Sequence, residues 1–218
     1  MVRGDIDEFL GSVDDALAQP WGPLTLSRRE VETIATPAKI IKPRRFEVFV
    51  AIKGKVWRRI QVEIAPDEAG ITDEHDVLRA PSLQYFGLPS PDELIGIALR
   101  YQIAQKLHAG TDPHEPPDHI NDRARDIVDL LLLRELVDEE QTLALVDIRQ
   151  ACTALFEARA AEARSLERPE RAWPPAATAF AHWPSDYIKA AAAGRIELSL
   201  QDAIAEVNAW IAQIDAAT

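Results

Sequence analysis

Residues 45–65 read RFEVFVAIKGKVWRRIQVEIA, and this stretch decides much of the fold. Two runs rich in β-branched and aromatic residues, 45–52 and 56–65, flank the short turn sequence Lys53-Gly54-Lys55. Such a pattern predicts a β-hairpin. In the second strand, strict alternation places Val56, Arg58, Ile60, Val62 and Ile64 on one face.

Helical patterns surround the hairpin. Ile6, Leu10, Val13 and Leu17 give an apolar stripe that predicts a helix over 5–18. Residues 66–93 contain four prolines and predict a loop with short extended pieces. Further helices are expected at 100–108, 122–135, 141–163, 178–193 and 199–215, with a linker at 164–177. The helix at 122–135 is apolar on most sides and should be central.

These elements predict an α+β fold, with a small mixed sheet that is backed by helices and a helical C-terminal region. We expect an α+β region over 1–135 and a helical region over 136–218.

Length, charge and cysteine content exclude several classes of protein. The chain has 218 residues, a net charge of −12 and one cysteine, Cys152, so it cannot form an internal disulfide or a cysteine zinc site. No apolar run is long enough for a transmembrane helix and no secretion signal is recognisable, so we expect a cytoplasmic protein without a membrane partner.

Basic residues are concentrated in one band, in contrast to the acidic whole. Eight lysines and arginines fall within 21 residues: Lys39, Lys42, Arg44, Arg45, Lys53, Lys55, Arg58 and Arg59. The band is either a site for a phosphate-bearing partner or the solvated face of the hairpin.

The densest polar constellation lies on two consecutive helices. Lys106-Leu107-His108-Ala109 precedes a polar loop, and Arg123-Ala124-Arg125-Asp126-Ile127-Val128-Asp129-Leu130 follows it. Asp126 and Asp129 are three residues apart and share a helix face. On an apolar helix this polar stripe is either the wall of a pocket or a set of intrahelical ion pairs. The loop histidines His114 and His119 are expected to be solvated rather than zinc ligands.

The sequence Lys-Leu-His-Ala, polar loop, Arg-x-Arg-Asp-x-x-Asp-Leu resembles two motifs of the AbiEii-type nucleotidyltransferases, bacterial toxins of abortive-infection and type IV toxin–antitoxin systems. The strand Ile60-Gln61-Val62-Glu63-Ile64 and the tail from Trp173 to Trp210 are also similar to that family. The likeness covers most of residues 5–215 and is sharpest over 100–133.

The resemblance implies an incomplete nucleotidyltransferase-like fold and transfer of a nucleotide from an NTP to an RNA or protein acceptor. It implies Asp126 and Glu63 as catalytic acids, Glu63 also as a ligand of Mg²⁺, and Lys106 as the phosphate contact. Arg125 and Asp129 would support the nucleotide site. It also implies a cognate antitoxin protein as a possible partner.

The chain departs from the family at its beginning. Family members carry a Gly-Gly turn and an Arg-x-Thr-x-Asp-x-Asp segment that holds the principal metal-binding acids. Asp5-Ile6-Asp7 has the acidic spacing, but it opens a helical pattern with no preceding strand or glycine turn. Two alternatives stay open: a natural start upstream of Met1, or a catalytically silent family member that acts as a protein-binding module.

Overall fold

The computed structural model describes residues 6–36, 39–141 and 143–218. The chain forms two compact units, Met1–Ala98 and Leu99–Thr218. The first combines a helix with antiparallel strands and the second is built from helices, so the predicted α+β class is confirmed. The functional division expected at residue 135 stays a prediction. Asp5 lies outside the described residues.

The first unit is organised around a four-stranded sheet with strand β3 at its centre. Its strands are β1 (Leu24–Arg28), β2 (Glu32–Thr33), β3 (Arg44–Ile52) and β4 (Lys55–Ile64). β4 pairs with one edge of β3, and β1 and β2 pair with the other. All these pairings are antiparallel, because β1, β2 and β4 each run opposite to β3, whereas a mixed sheet was expected.

Helix α1 (Ile6–Leu17) covers one face of this sheet, as its apolar stripe predicted. Alternate residues of β3 point to that face and are buried there, as the pleat requires. The resulting core consists of Ile6, Leu10, Phe46, Val48 and Ile64. Burying these side chains is the principal favourable term available to so small a unit.

The β3–β4 hairpin is present where the sequence predicted it. Lys53 and Gly54 form its two-residue turn with φ angles of 51° and 75°, both in the left-handed region that a tight hairpin turn requires. The expected alternation is wrong at one end. Ala51 faces Val56 and Val50 faces Arg58, so Trp57 is an extra, bulged residue that moves Val56 off the face of Ile60.

A second hairpin begins within the stretch predicted as a loop with short extended pieces and ends just beyond it. Strand β5 (His75–Arg79) pairs with β6 (Glu93–Ile97) in an antiparallel two-stranded sheet. Thirteen residues separate the strands, and most of the paired side chains are exposed. Neither a short turn nor an alternating burial pattern was therefore available to indicate the pairing.

The second unit contains five helices: α2 (Leu99–Gly110), α3 (Ala124–Glu140), α4 (Leu145–Ser165), α5 (Pro184–Gly194) and α6 (Leu200–Ala216). α3 packs against α2, α5 and α6, which confirms its predicted central position. A Cβ atom at Gly194 would lie 3.1 Å from Val128 Cγ1. Gly194 therefore allows the end of α5 to approach α3 closely.

Local signals explain where the last two helices begin. Pro184 occupies the first turn of α5, where its missing N–H costs nothing. The Ser199 hydroxyl caps α6 by accepting a hydrogen bond from the Asp202 N–H. Trp183 and Tyr187 are buried and fasten α5 to the unit.

Among the described residues, no helix is both long enough and apolar enough to span a membrane.

Candidate functional site

The predicted cluster on the second and third helices forms as a three-residue ion-pair network. Lys106 Nζ, on α2, donates hydrogen bonds to Asp126 Oδ1 at 2.9 Å and Asp129 Oδ2 at 2.6 Å, both on α3. The three-residue spacing of the aspartates puts both carboxylates on the face that looks towards α2. The structure therefore brings together three of the residues selected from the sequence.

Partial burial gives this network its strength. The Asp126 side chain is 12% exposed and Lys106 is 31% exposed, so water screens the pair only partly. Burial is the largest single influence on the pKa of the Lys106 ammonium and would lower it. The hydrogen bonds to Asp129 and Asp126 and their charges outweigh burial, so the pKa of Lys106 is raised above its ordinary 10.5. Lys106 is therefore a fixed cation at neutral pH.

Two arginines of the same motif surround the network. Arg123 lies 4.0 Å from Asp126, and Arg125 lies 4.0 Å from Asp129. Their side chains are 63% and 81% exposed, so they reach solvent while the aspartates are held by Lys106. Three cations and two carboxylates give these five residues a net charge of +1, which suits an anionic ligand.

Glu63 is the one predicted site residue in the first unit. Its Oε1 atom accepts hydrogen bonds from Arg45 Nη2 at 2.7 Å and Gln61 Nε2 at 2.9 Å. These donors bind one of its two carboxylate oxygens. In the described part of the chain, no group of three or more His, Cys, Asp or Glu side chains is placed to hold a metal. The Mg²⁺ requirement therefore stays a prediction.

A second polar cluster, which the sequence did not indicate, lies at the end of α2. Arg171 Nη1 donates to Asp112 Oδ1 at 2.7 Å, and its Nη2 donates to Thr111 Oγ1 at 2.7 Å. The guanidinium also lies 3.1 Å from His108 Nδ1 and 5.7 Å from the centre of the Phe156 ring. Burial lowers the pKa of Arg171 from its ordinary value.

This cluster corrects two interpretations of the sequence. Arg171 belongs to the segment 164–177 that was predicted to be a linker, yet its side chain is only 17% exposed. The histidines predicted to be solvated are also engaged. His119 Nε2 lies 2.7 Å from Asp112 Oδ2, and His114 Nδ1 accepts a hydrogen bond from the Asn121 N–H. Residue spacing does not reveal the partners of Arg171, because Asp112 and Thr111 lie in a distant part of the chain.

Asn121 connects the polar loop to the start of α3. Its side chain donates to the Asp112 carbonyl at 2.6 Å and accepts from the Arg123 N–H at 2.9 Å. Its own carbonyl accepts a hydrogen bond from Trp183 Nε1 at 2.6 Å. Asn121 thus forms an asparagine turn that leads into α3. It fixes the turn that precedes Asp126.

The fold and this site define an α+β protein with a half-buried, cation-centred cluster between two helices. No model of a known protein family matches the chain, and no curated protein matches it.

Proposed function

We propose that the chain is an AbiEii-type nucleotidyltransferase that acts in the cytoplasm and moves a nucleotide from an NTP to an RNA or protein acceptor. The observation that carries the proposal is the position of Lys106 between Asp126 and Asp129. Lys106 lies within hydrogen-bonding distance of both aspartates of the motif that carries the resemblance. A cognate antitoxin protein is the partner that this family membership implies.

Nucleotidyl transfer requires cations that position the phosphates of the NTP and stabilise their charge. An acceptor hydroxyl gives its proton to a carboxylate or to water as its oxygen bonds to the α-phosphorus. The bond from that phosphorus to the bridging oxygen breaks, and pyrophosphate leaves. Catalysis of this step is mostly positioning and stabilisation of charge on the phosphates. Lys106 is a positioned cation, and the exposed guanidinium of Arg125 adds a second. Asp126 is the proposed catalytic acid, and Asp129 orients Lys106. Glu63 lies in the first unit, and its catalytic role stays a prediction from the resemblance.

When bound, Mg²⁺ would neutralise charge on the NTP phosphates. No step assigned to Lys106, Asp126 or Asp129 passes through the metal.

The alternative is a catalytically silent family member that serves as a protein-binding module. One observation favours it: Lys106 is already neutralised by two carboxylates, and Glu63 is already held by Arg45 and Gln61. Such saturated pairs are also what a purely structural ion-pair network looks like.

An assay with radiolabelled NTP distinguishes the nucleotidyltransferase from the protein-binding module. The purified chain is incubated with Mg²⁺, total RNA and NTPs that carry the radioactive phosphorus at either the α or the γ position. A nucleotidyltransferase labels RNA or protein from the α position only, because the γ-phosphorus leaves with pyrophosphate.

Lys106→Ala should abolish that labelling, while Lys189→Ala should not, because Lys189 is 74% exposed and pairs only with Asp186 in the described structure. Absence of α-label in any acceptor would contradict the enzyme and favour the binding module. Label from the γ position would indicate phosphoryl transfer and would contradict both.

A further inference from the structure

The tip of the β3–β4 hairpin carries a basic and aromatic surface that the proposed function does not use. We call it the hairpin-tip patch and define it by six residues: Phe49, Lys53, Lys55, Trp57, Arg58 and Arg59. Apart from the half-buried Phe49, its members are exposed.

Its charge opposes that of the rest of the chain. Residues 48–62 contain four basic residues and no acidic residue. The chain carries −12, so the remaining residues carry −16. A cationic patch on so acidic a protein concentrates positive potential at one place on the surface.

The patch charges are not neutralised within the described structure. Lys53, Lys55, Arg58 and Arg59 form no ion pair with any described carboxylate, whereas other basic residues of the sheet do. Arg44 pairs with Asp7, and Arg45 pairs with Glu63. In the basic band of the sequence, Arg44 and Arg45 therefore belong to ion pairs within the fold. The four basic residues of the patch can instead bind an anionic partner.

Aromatic rings lie among these cations. Trp57 is 58% exposed, and the Arg58 guanidinium carbon lies 5.6 Å from the centre of its indole ring. The Phe49 ring lies between two guanidiniums, with Arg29 at 5.0 Å and Arg59 at 5.4 Å. Trp57 is the bulged residue of β4, so no residue of β3 is paired with it.

We propose that the hairpin-tip patch binds a single-stranded polynucleotide. The phosphates lie on the lysines and arginines, and an unstacked base lies on the indole of Trp57. Base–aromatic stacking beside a basic track is the usual chemistry of single-strand binding. A duplex offers phosphates but hides its base faces, and an acidic peptide offers charge without a ring to stack. The inference stands apart from the proposed transfer because the patch lies in the first unit.

Fluorescence anisotropy of a labelled single-stranded RNA of about 12 nucleotides tests the proposal. The full chain is titrated between about 50 and 200 mM salt. Four phosphate contacts predict a slope of log affinity against log salt of about −3, at roughly −0.7 per contact. Trp57→Ala should weaken binding roughly tenfold through loss of stacking. Trp57→Phe should restore most of the affinity.

A second patch variant, a duplex ligand and an acidic competitor serve as controls. Arg59→Ala should flatten the salt slope by about 0.7, which Lys189→Ala should not do. The same sequence as a duplex should bind more weakly, and polyglutamate should compete poorly.

No binding by the wild-type chain would overturn the proposal. So would an affinity that Trp57→Ala leaves unchanged, equal affinity for the duplex, or full competition by polyglutamate, which would mean a surface that responds to charge alone. Circular dichroism of each variant checks that the exposed substitutions leave the fold intact. The result does not depend on Lys106, so failure here leaves the transferase proposal untouched.

Discussion

Asp126 is the one charged residue among the described residues that is buried, and Lys106 is its principal partner. A carboxylate in such a place must be paired, because its water is lost and only a cation or several donors can replace it. The same ion pair therefore stabilises the second unit and fixes the position of the Lys106 ammonium.

Lys106→Ala should lower the free energy of unfolding by about 1–3 kcal/mol, since it leaves Asp126 with its charge only weakly compensated by Arg123. Urea denaturation followed by circular dichroism measures the loss. Lys189→Ala, the exposed control, should stay within about 0.5 kcal/mol of wild type. Equal stability of the two variants would contradict the structural role of Lys106.

The contribution of Lys106 should depend on pH in one direction. Its pKa is raised on folding, so the stability that it contributes is complete below its unfolded pKa and is lost as the pH rises through the folded pKa, above 10.5. The stability difference between wild type and Lys106→Ala should shrink across that range. A difference that is constant from about pH 9 to about pH 11.5 would contradict this linkage.

Cys152 should be unreactive in the folded protein. It is buried on α4, and burial raises the pKa of its thiol to about 12. A thiol-specific reagent that forms mixed disulfides should therefore react at about pH 8 only as the chain unfolds, because the thiolate is the nucleophile. Absorbance of the released chromophore measures the rate. Reaction in native buffer as fast as in denaturant would show that the thiol is accessible.

The hairpin shows how an element is specified by its turn. Gly54 has a φ of 75°, and a Cβ atom added there would meet no other atom within 4 Å, so a substitution strains only the backbone. The left-handed conformation that lets Gly54 close the turn is the one that L side chains disfavour.

Gly54→Ala should therefore cost about 1 kcal/mol. Gly11→Ala makes the same chemical change within helix α1, where no atom is close and helix propensity favours alanine, and it should stabilise by about 0.5–1 kcal/mol. Urea denaturation of both variants gives the comparison. Changes of the same sign would contradict the assigned turn or the assigned helix.

Secondary-structure elements could be predicted from the sequence where the pattern that specifies them is local. The β3–β4 hairpin and α1 were predictable because apolar periodicity and a two-residue turn are local. The bulge at Trp57 was not, since it depends on the register with β3. The β5–β6 pairing was missed because its strands bury little and are far apart in sequence.

The residues of the candidate site also fall into two groups: those that local spacing could predict and those that only the tertiary packing brings together. Asp126 and Asp129 share a face because of their spacing. Lys106 was selected through the resemblance, since the loop between α2 and α3 is too long to fix the register of the two helices. Arg171 comes from beyond α4, and its bonds to Asp112 and Thr111 span about sixty residues of sequence. Only the packing of helices brings such groups together, and no local pattern records it.

The whole chain places its two features of interest in different compact units. The Lys106 cluster belongs to the helical unit, and the hairpin-tip patch belongs to the sheet unit. Strong net negative charge repels anionic ligands in general, so both sites must bind through local cations. Affinity at either site should therefore fall with salt.

The central claim is that the Lys106 cluster binds nucleoside triphosphate. Isothermal titration of the 218-residue chain with each NTP, with and without Mg²⁺, tests it most directly. We expect saturable, Mg²⁺-dependent binding that Lys106→Ala abolishes, that Arg125→Ala weakens without loss of fold, and that Lys189→Ala leaves unchanged. No heat of binding with any NTP, or binding that Lys106→Ala and Arg125→Ala leave intact, would contradict it.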